Sequence, residues 1–249
     1  MKKSPSPANL DFERPLVTVD VAIFSVEAGL LQVLLVQRPD TADEPFPGRW
    51  ALPGGFVDVA RDRSLHDCAL RKLREKTGVA APYLEQLGSW GGTARDPRGW
   101  SATHAWFALV HRPPGLAPVA PSLSPHSSDA GAAAAQWLDV DDAARKRLAF
   151  DHTQILAAAV ERLRSKVEYT SLPAYLLPEP FTLPQLQQTY ETVLGRPLDK
   201  SAFRKRMLDA SFLQEAGMVD GGSGRPAMGY RIAERDSAAT FPRTFKAKE

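Results

Sequence analysis

The chain has 249 residues, 43% apolar and 24% charged, an ordinary composition for one large globular domain or two small ones. A net charge of +2 excludes a nucleic-acid footprint spread over the whole surface, so any such footprint must be local. The single cysteine, Cys68, excludes an intrachain disulfide and a multi-cysteine zinc site, and it fits a reducing cytoplasm.

Residues 1–14, MKKSPSPANLDFER, have two lysines but no apolar run and read as a disordered leader rather than a signal peptide. From Pro15 the texture is that of strands. LVTVDVAIFSV is rich in β-branched residues and ends at the turn signal Glu27-Ala28-Gly29, and LLQVLLVQRP follows, so the pair predicts a hairpin. TADEPFPGRW is a loop, and WALPGGFVD is a short strand entering Gly54-Gly55. Ser64 caps a predicted helix whose apolar residues Leu65, Ala69, Leu70 and Leu73 recur at helical spacing, and Gly78 ends it. YLEQLGSWGGTARD and WSATHAWFALVHR predict two strands around the turn DPRG. After a Pro/Ser/Ala-rich loop come a strand with a turn, AAQWLDVDDA, and a helix, LAFDHTQILAAAVERLRSKV, capped near Asp151. Residues 15–167 therefore read as one mixed sheet with helices on it. No apolar run reaches the roughly 18 residues that a membrane-crossing helix requires, so no membrane partner is expected.

Residues 168–180 are proline-punctuated and read as a linker. Thr182 and Gln185 then have the spacing of a capping box, and the helix they open stops at Gly195 and Pro197. Leu198-Asp199-Lys200-Ser201 opens a second helix, AFRKRMLDA, followed by two strands around a Gly-rich tip. Helix, turn, basic helix and hairpin over 181–240 are the layout of a winged helix-turn-helix. Residues 241–249 read as a loose tail. The fold class is α+β, a mixed β-sheet domain followed by a small winged domain.

Two helices carry candidate chemistry. In the basic helix, Phe203 and Met207 lie four apart and can pack inward, leaving Ser201, Arg204, Lys205 and Arg206 to meet DNA. Arginine reads guanine bidentately and lysine mostly holds phosphate, while Arg225 on the Gly-rich tip is placed to reach the minor groove or the backbone. In the earlier helix, Lys72, Glu75 and Lys76 share one face.

Gly55 to Val79 resembles the Nudix box of diphosphate hydrolases. That box runs Gly, five residues, Glu, seven residues, Arg-Glu, an apolar residue, any residue, Glu-Glu, any residue, Gly and an apolar residue. Arg71, Leu73, Glu75, Gly78 and Val79 fit it. Lys72 and Lys76 stand where the helix glutamates belong, and Arg63 stands where the loop glutamate belongs, two residues farther from Gly55 than the box allows. In that family the glutamates hold Mg²⁺ against the substrate diphosphate, and magnesium needs oxygen ligands that lysine and arginine cannot supply. The resemblance therefore implies a binding site that has lost hydrolysis, with no metal and no required cofactor. The two lysines would neutralise a diphosphate as point charges. An alternative remains open, an active hydrolase in which Glu75 joins Asp58, Asp62 and Asp67 to rebuild a metal site.

Followed by a winged domain, such a box resembles the NrtR-type Nudix-related transcriptional regulators. The segments carrying the resemblance are PGRWALPGGFVD, LRKLREKTGV, FDHTQIL and GRPAMGYR. It implies a cytoplasmic homodimer that binds palindromic double-stranded operator DNA and senses ADP-ribose or a related nucleotide. The genes it implies belong to NAD biosynthesis or salvage, although some members govern sugar catabolism. An aromatic stacks on adenine and an arginine clamps phosphate. The expected ligand set is thus Arg38, Arg49, Trp50, Phe56, Lys72, Lys76, Trp90 and Arg95, with Asp96, Arg98 and Trp100 nearby. His104, His111, His126 and His152 are scattered and are not expected to bind metal.

Overall fold

From Thr18 to Ser25 every residue of the first strand is buried, so both faces of that strand are covered and it must be central. The computed structural model describes residues 13–78, 83–112, 134–220 and 226–245. The first strand, β1 (Leu16–Glu27), turns at Ala28-Gly29 into β2 (Leu30–Gln37). β3 (Trp50–Ala51) and β4 (Gly54–Phe56) are short, and β5 (Tyr83–Asp96) and β6 (Gly99–Leu109) form a long hairpin. With β7 (Ala134–Asp139) they make a seven-stranded mixed sheet in the order β3-β2-β1-β6-β5, in which β4 adds to β1 and β7 to β2. β1 runs antiparallel to β2 and β4 and parallel to β6, from Leu16 opposite Ser101 to Phe24 opposite Leu109.

Strand alternation divides the side chains between two layers. Val19, Val21 and Ile23, with Leu34, Trp106 and Ala108, face Cys68, Ala69 and Leu73 of helix α1 (Leu65–Thr77). Ala22, Phe24, Val33, Leu35 and Phe107 face the other way, in one cluster with Ile155, Leu156, Ala159 and Leu163 of helix α3 (His152–Val167). The short helix α2 (Val140–Ala144) precedes α3. The ends of α1 follow its sequence signals. Ser64 accepts a hydrogen bond from Asp67 N–H, and Gly78 takes φ 69°, a left-handed conformation natural to glycine, while donating to Arg74 O.

The winged domain holds α4 (Leu183–Leu194), α5 (Lys200–Asp209) and a three-stranded sheet in the order β8 (Phe181–Thr182), β10 (Pro226–Ile232), β9 (Leu213–Asp220). The Thr182–Gln185 capping box is formed, and Asp199 caps α5 through Ala202 N–H. Two readings of the sequence need correction. The proline-rich linker contains a 3-10 helix, Leu172–Leu176, with all five residues buried. Its prolines limit helix length and leave its leucines and Tyr175 free to pack. The tail is not loose over 241–245, because Phe241 and Phe245 are buried in the cluster that reaches back to α3. One continuous core thus joins the two domains. Arg225, with 221–224, lies outside the described residues. Among the described residues no helix is long and apolar enough to cross a membrane.

Candidate functional site

At one end of the strands, β1, the end of β2, β3, β4, the turn of the β5–β6 hairpin and the start of α3 line a cleft open to solvent. Its floor is a buried charged network. Asp20 on β1 accepts from Arg95 Nη2 at 2.8 Å, and Arg95 Nε donates to Asp151 at 3.0 Å. His152 Nδ1 accepts from Leu52 N–H at 2.9 Å, which leaves Nε2 to carry the ring proton, 3.4 Å from the Asp20 carboxylate. Burial acts to raise the Asp20 carboxyl, but His152 and Arg95 outweigh it and hold the group at about 2. Gly54 is what lets β4 lie this close, since a Cβ there would sit 2.0 Å from Asp20 Oδ1 and 2.6 Å from Val19 O.

The walls pair guanidinium groups with aromatic rings. Arg38 lies 4.9 Å and Arg95 5.7 Å from the Phe150 ring centre, and Arg98 lies 5.1 Å from that of Phe56. Carboxylates orient these arginines. Arg98 forks onto Asp96 at 2.8 and 3.0 Å, and Arg38 pairs with Glu44 while donating to Pro45 O at 2.7 Å. Each of the three guanidinium groups in the lining is thus held by at least one carboxylate: Arg38 by Glu44, Arg95 by Asp20 and Asp151, and Arg98 by Asp96.

Of the expected ligand set, the structure places Arg38, Phe56 and Arg95 in the cleft lining and leaves the other five outside it. Trp50 and Trp90 are half-buried and pack against the main core. Arg49 stacks on Phe46 at 5.4 Å. Lys72 and Lys76 are only 1% and 2% exposed. They belong to the same stripe of α1 as Cys68, Ala69 and Leu73, so their expected role as diphosphate-holding charges is corrected to one inside the protein. Sequence reasoning missed Asp20, Phe150 and, as a cleft residue, His152. Leu52 and His152 stand 100 residues apart, which left no local signal to follow.

The box itself is closed by ion pairs. Arg71 forks onto Asp62 at 2.8 and 2.6 Å and reaches Glu75 at 3.3 Å. Hydrogen bonds from Arg71 bring the Asp62 carboxyl down to about 2, against a smaller opposing effect of burial. Burial pushes the Cys68 thiol up to about 12, with Asp62 adding to the effect, so the thiol is inert at neutral pH. Glu75 also meets Lys72 Nζ at 3.7 Å and Arg61 at 3.9 Å. Arg63 is exposed on the loop before α1. Among the described residues no three of His, Cys, Asp and Glu converge as a metal set. A lone glutamate ringed by cations does not fit Mg²⁺.

The second site is the outer face of α5. Ser201, Arg204 and Lys205 are exposed there, while Phe203 and Met207 face the core. Arg206 does not join them. Its guanidinium lies 3.9 Å from the Phe245 ring centre and donates to Thr244 O at 2.7 Å, because it is three residues on from Phe203 and shares the inward side. This takes Arg206 out of the expected DNA-contacting set.

Residues 15–159 match the model of the NUDIX domain, and residues 173–232 match that of the NrtR DNA-binding winged helix domain. The ADPR responsive transcriptional repressor NtrR of Acinetobacter baylyi is 45% identical over 94% of this chain and 88% of its own length. The chain belongs to the NrtR family of Nudix-related transcriptional regulators. Family structures agree with that placement. Shewanella oneidensis NrtR complexed with a 27mer DNA has 39% identity and a TM-score of 0.79, over 92% of this chain and 99% of that one. The NUDIX domain of the same protein, complexed with ADP ribose, has 41% identity and a TM-score of 0.53, over 63% of this chain and 95% of that one.

Proposed function

We propose that this chain is a transcriptional repressor whose Nudix domain binds ADP-ribose without hydrolysing it. One observation carries the reading. An arginine-walled cleft that suits a nucleotide diphosphate sits beside a box that does not fit magnesium, on a core shared with a DNA-reading helix. Guanidinium groups already oriented by Glu44, Asp20 and Asp96 suit phosphate oxygens, and the faces of Phe56 and Phe150 suit a base. Ser201, Arg204 and Lys205, with Arg225, contact operator DNA, which is palindromic and is bound by a homodimer. Genes of NAD biosynthesis or salvage are the regulated class. ADP-ribose shifts DNA affinity only through unequal affinity for the free and DNA-bound shapes.

The test is capture of sheared genomic DNA by the full chain with and without ADP-ribose, alongside an assay for AMP release with Mg²⁺. The expected result is enrichment of a few promoter fragments, changed at least tenfold by ADP-ribose, with no AMP formed. Enrichment indifferent to ADP-ribose would discard the effector, and AMP release would restore the hydrolase reading.

A further inference from the structure

Residues 239–245 lie across the join between the domains. Ser171 N–H donates to Ala239 O and Ala239 N–H to Ser171 Oγ, both at 2.9 Å, and Phe241 N–H donates to Tyr169 O at 2.7 Å. These bonds make a short antiparallel bridge, Thr170 opposite Thr240, against the residues that follow α3. Beyond it the Phe245 ring packs on Tyr190 of α4 at 5.4 Å and lies nearly parallel to Phe203 of α5 at 6.0 Å. Arg206 of α5 covers that ring and donates to Thr244 O at 2.7 Å and to Glu168 O, at the end of α3, at 3.5 Å. Arg196, between α4 and α5, ties the Glu168 carboxylate at 2.8 Å to Phe245 O at 3.3 Å.

We infer that residues 239–245 form a clasp that sets the position of the DNA-reading helix α5 relative to α3, with Arg206 as its positioning residue. The clasp has a mechanical counterpart. α3 starts at His152 in the cleft floor, and its sixteen residues span roughly 24 Å to the clasp at Glu168. α3 buries one face, through Ile155, Leu156, Ala159, Leu163 and Val167, and runs unbroken from cleft to clasp, so in this inference it carries a displacement at the cleft to Arg206. The inference rests on the repressor reading for its purpose but not for its geometry.

The test uses the full chain and the variants R206A, R206K, F245A and K205A. The slope of log affinity against log salt for a random-sequence duplex separates contact from positioning, since each lost phosphate contact lowers it by about 0.9. K205A is expected to lose about that much and R206A nothing. Amide hydrogen exchange in α5 is expected to rise at least tenfold in R206A and F245A, with exchange in β1 unchanged. The ADP-ribose response on a captured promoter fragment is expected to shrink at least fivefold while ADP-ribose affinity stays within twofold. R206K keeps the charge but lacks the planar fork that presents two separate nitrogens to the two carbonyls. It covers the case where the other variants fail to fold, and its α5 exchange must also rise. A slope loss in R206A, or unchanged α5 exchange in the folded variants, overturns the clasp. A parent protein indifferent to ADP-ribose or to DNA would instead sink the repressor reading, and the exchange data would still decide the clasp.

Discussion

Helix α1 carries Arg71, Lys72 and Lys76, and helix α5 carries Arg204, Lys205 and Arg206. In α1 the two lysines are sealed in the sensor domain, and Arg71 is held by Asp62 and Glu75. In α5 Arg204 and Lys205 stand in solvent, and the nearest acid to Lys205 is Asp209 one turn on. Register against the apolar anchors separates the two cases. Lys72 and Lys76 fall four and eight residues after Cys68, on the core stripe, whereas Arg204 and Lys205 fall one and two after Phe203. The same basic residue types are sealed inside the fold in one helix and stand exposed to a partner in the other.

Removing a partner from α1 is the strongest way to break this comparison. Asp62→Ala leaves the mostly buried Arg71 guanidinium with Glu75 as its one remaining carboxylate and is expected to cost about 3 kcal/mol in denaturant unfolding. In α5, Arg204→Ala is expected to leave stability within about 0.5 kcal/mol and to remove roughly 1–3 kcal/mol of operator discrimination, read by titration against operator and random DNA. Equal loss on both duplexes would reduce Arg204 to a phosphate contact. Acid tests the sensor floor. Asp20 has an ordinary value of 3.8 and is held at about 2, so its contribution is complete above about pH 5 and is lost as pH falls through 2. Urea unfolding between those limits is expected to lose roughly 2 kcal/mol from this group, and Asp20→Asn should flatten that slope. Lys72→Met keeps the buried stem, so ADP-ribose affinity should hold and stability should move by no more than about 1 kcal/mol. A tenfold loss of effector affinity would return Lys72 to the site. Lys205→Ala should leave the melting temperature unchanged, as an exposed one-turn ion pair permits.

Local signals carried much of the fold. The Ala28-Gly29 turn, Ser64, Gly78 and the Thr182 capping box each act within a few residues, so they could be read in sequence and are formed in the structure. The burial of Lys72 and Lys76 follows from their spacing after Cys68, a signal that their charge obscures in sequence. Nothing near Asp20 announces Arg95 or His152, which meet it only when distant strands assemble. Phe241 and Phe245 sit among proline, arginine and threonine with no helical or strand period, so their packing on α5 had no local mark. The basic triplet likewise did not reveal which arginine turns inward, because Phe245 decides it.

The parallel pairing of β1 with β6 has a consequence for how the protein is made. The two central strands touch across 85 residues of chain, as Thr103 reaching Thr18 shows. Closing so long a loop is slow, and the central strand of the sheet must wait for it with its hydrogen bonds to β6 unmade. During synthesis the β1–β2 hairpin leaves the ribosome before β6 does and is exposed along one edge until β6 follows. Self-association of that nascent hairpin is the step at which yield should depend most on temperature and chaperone supply.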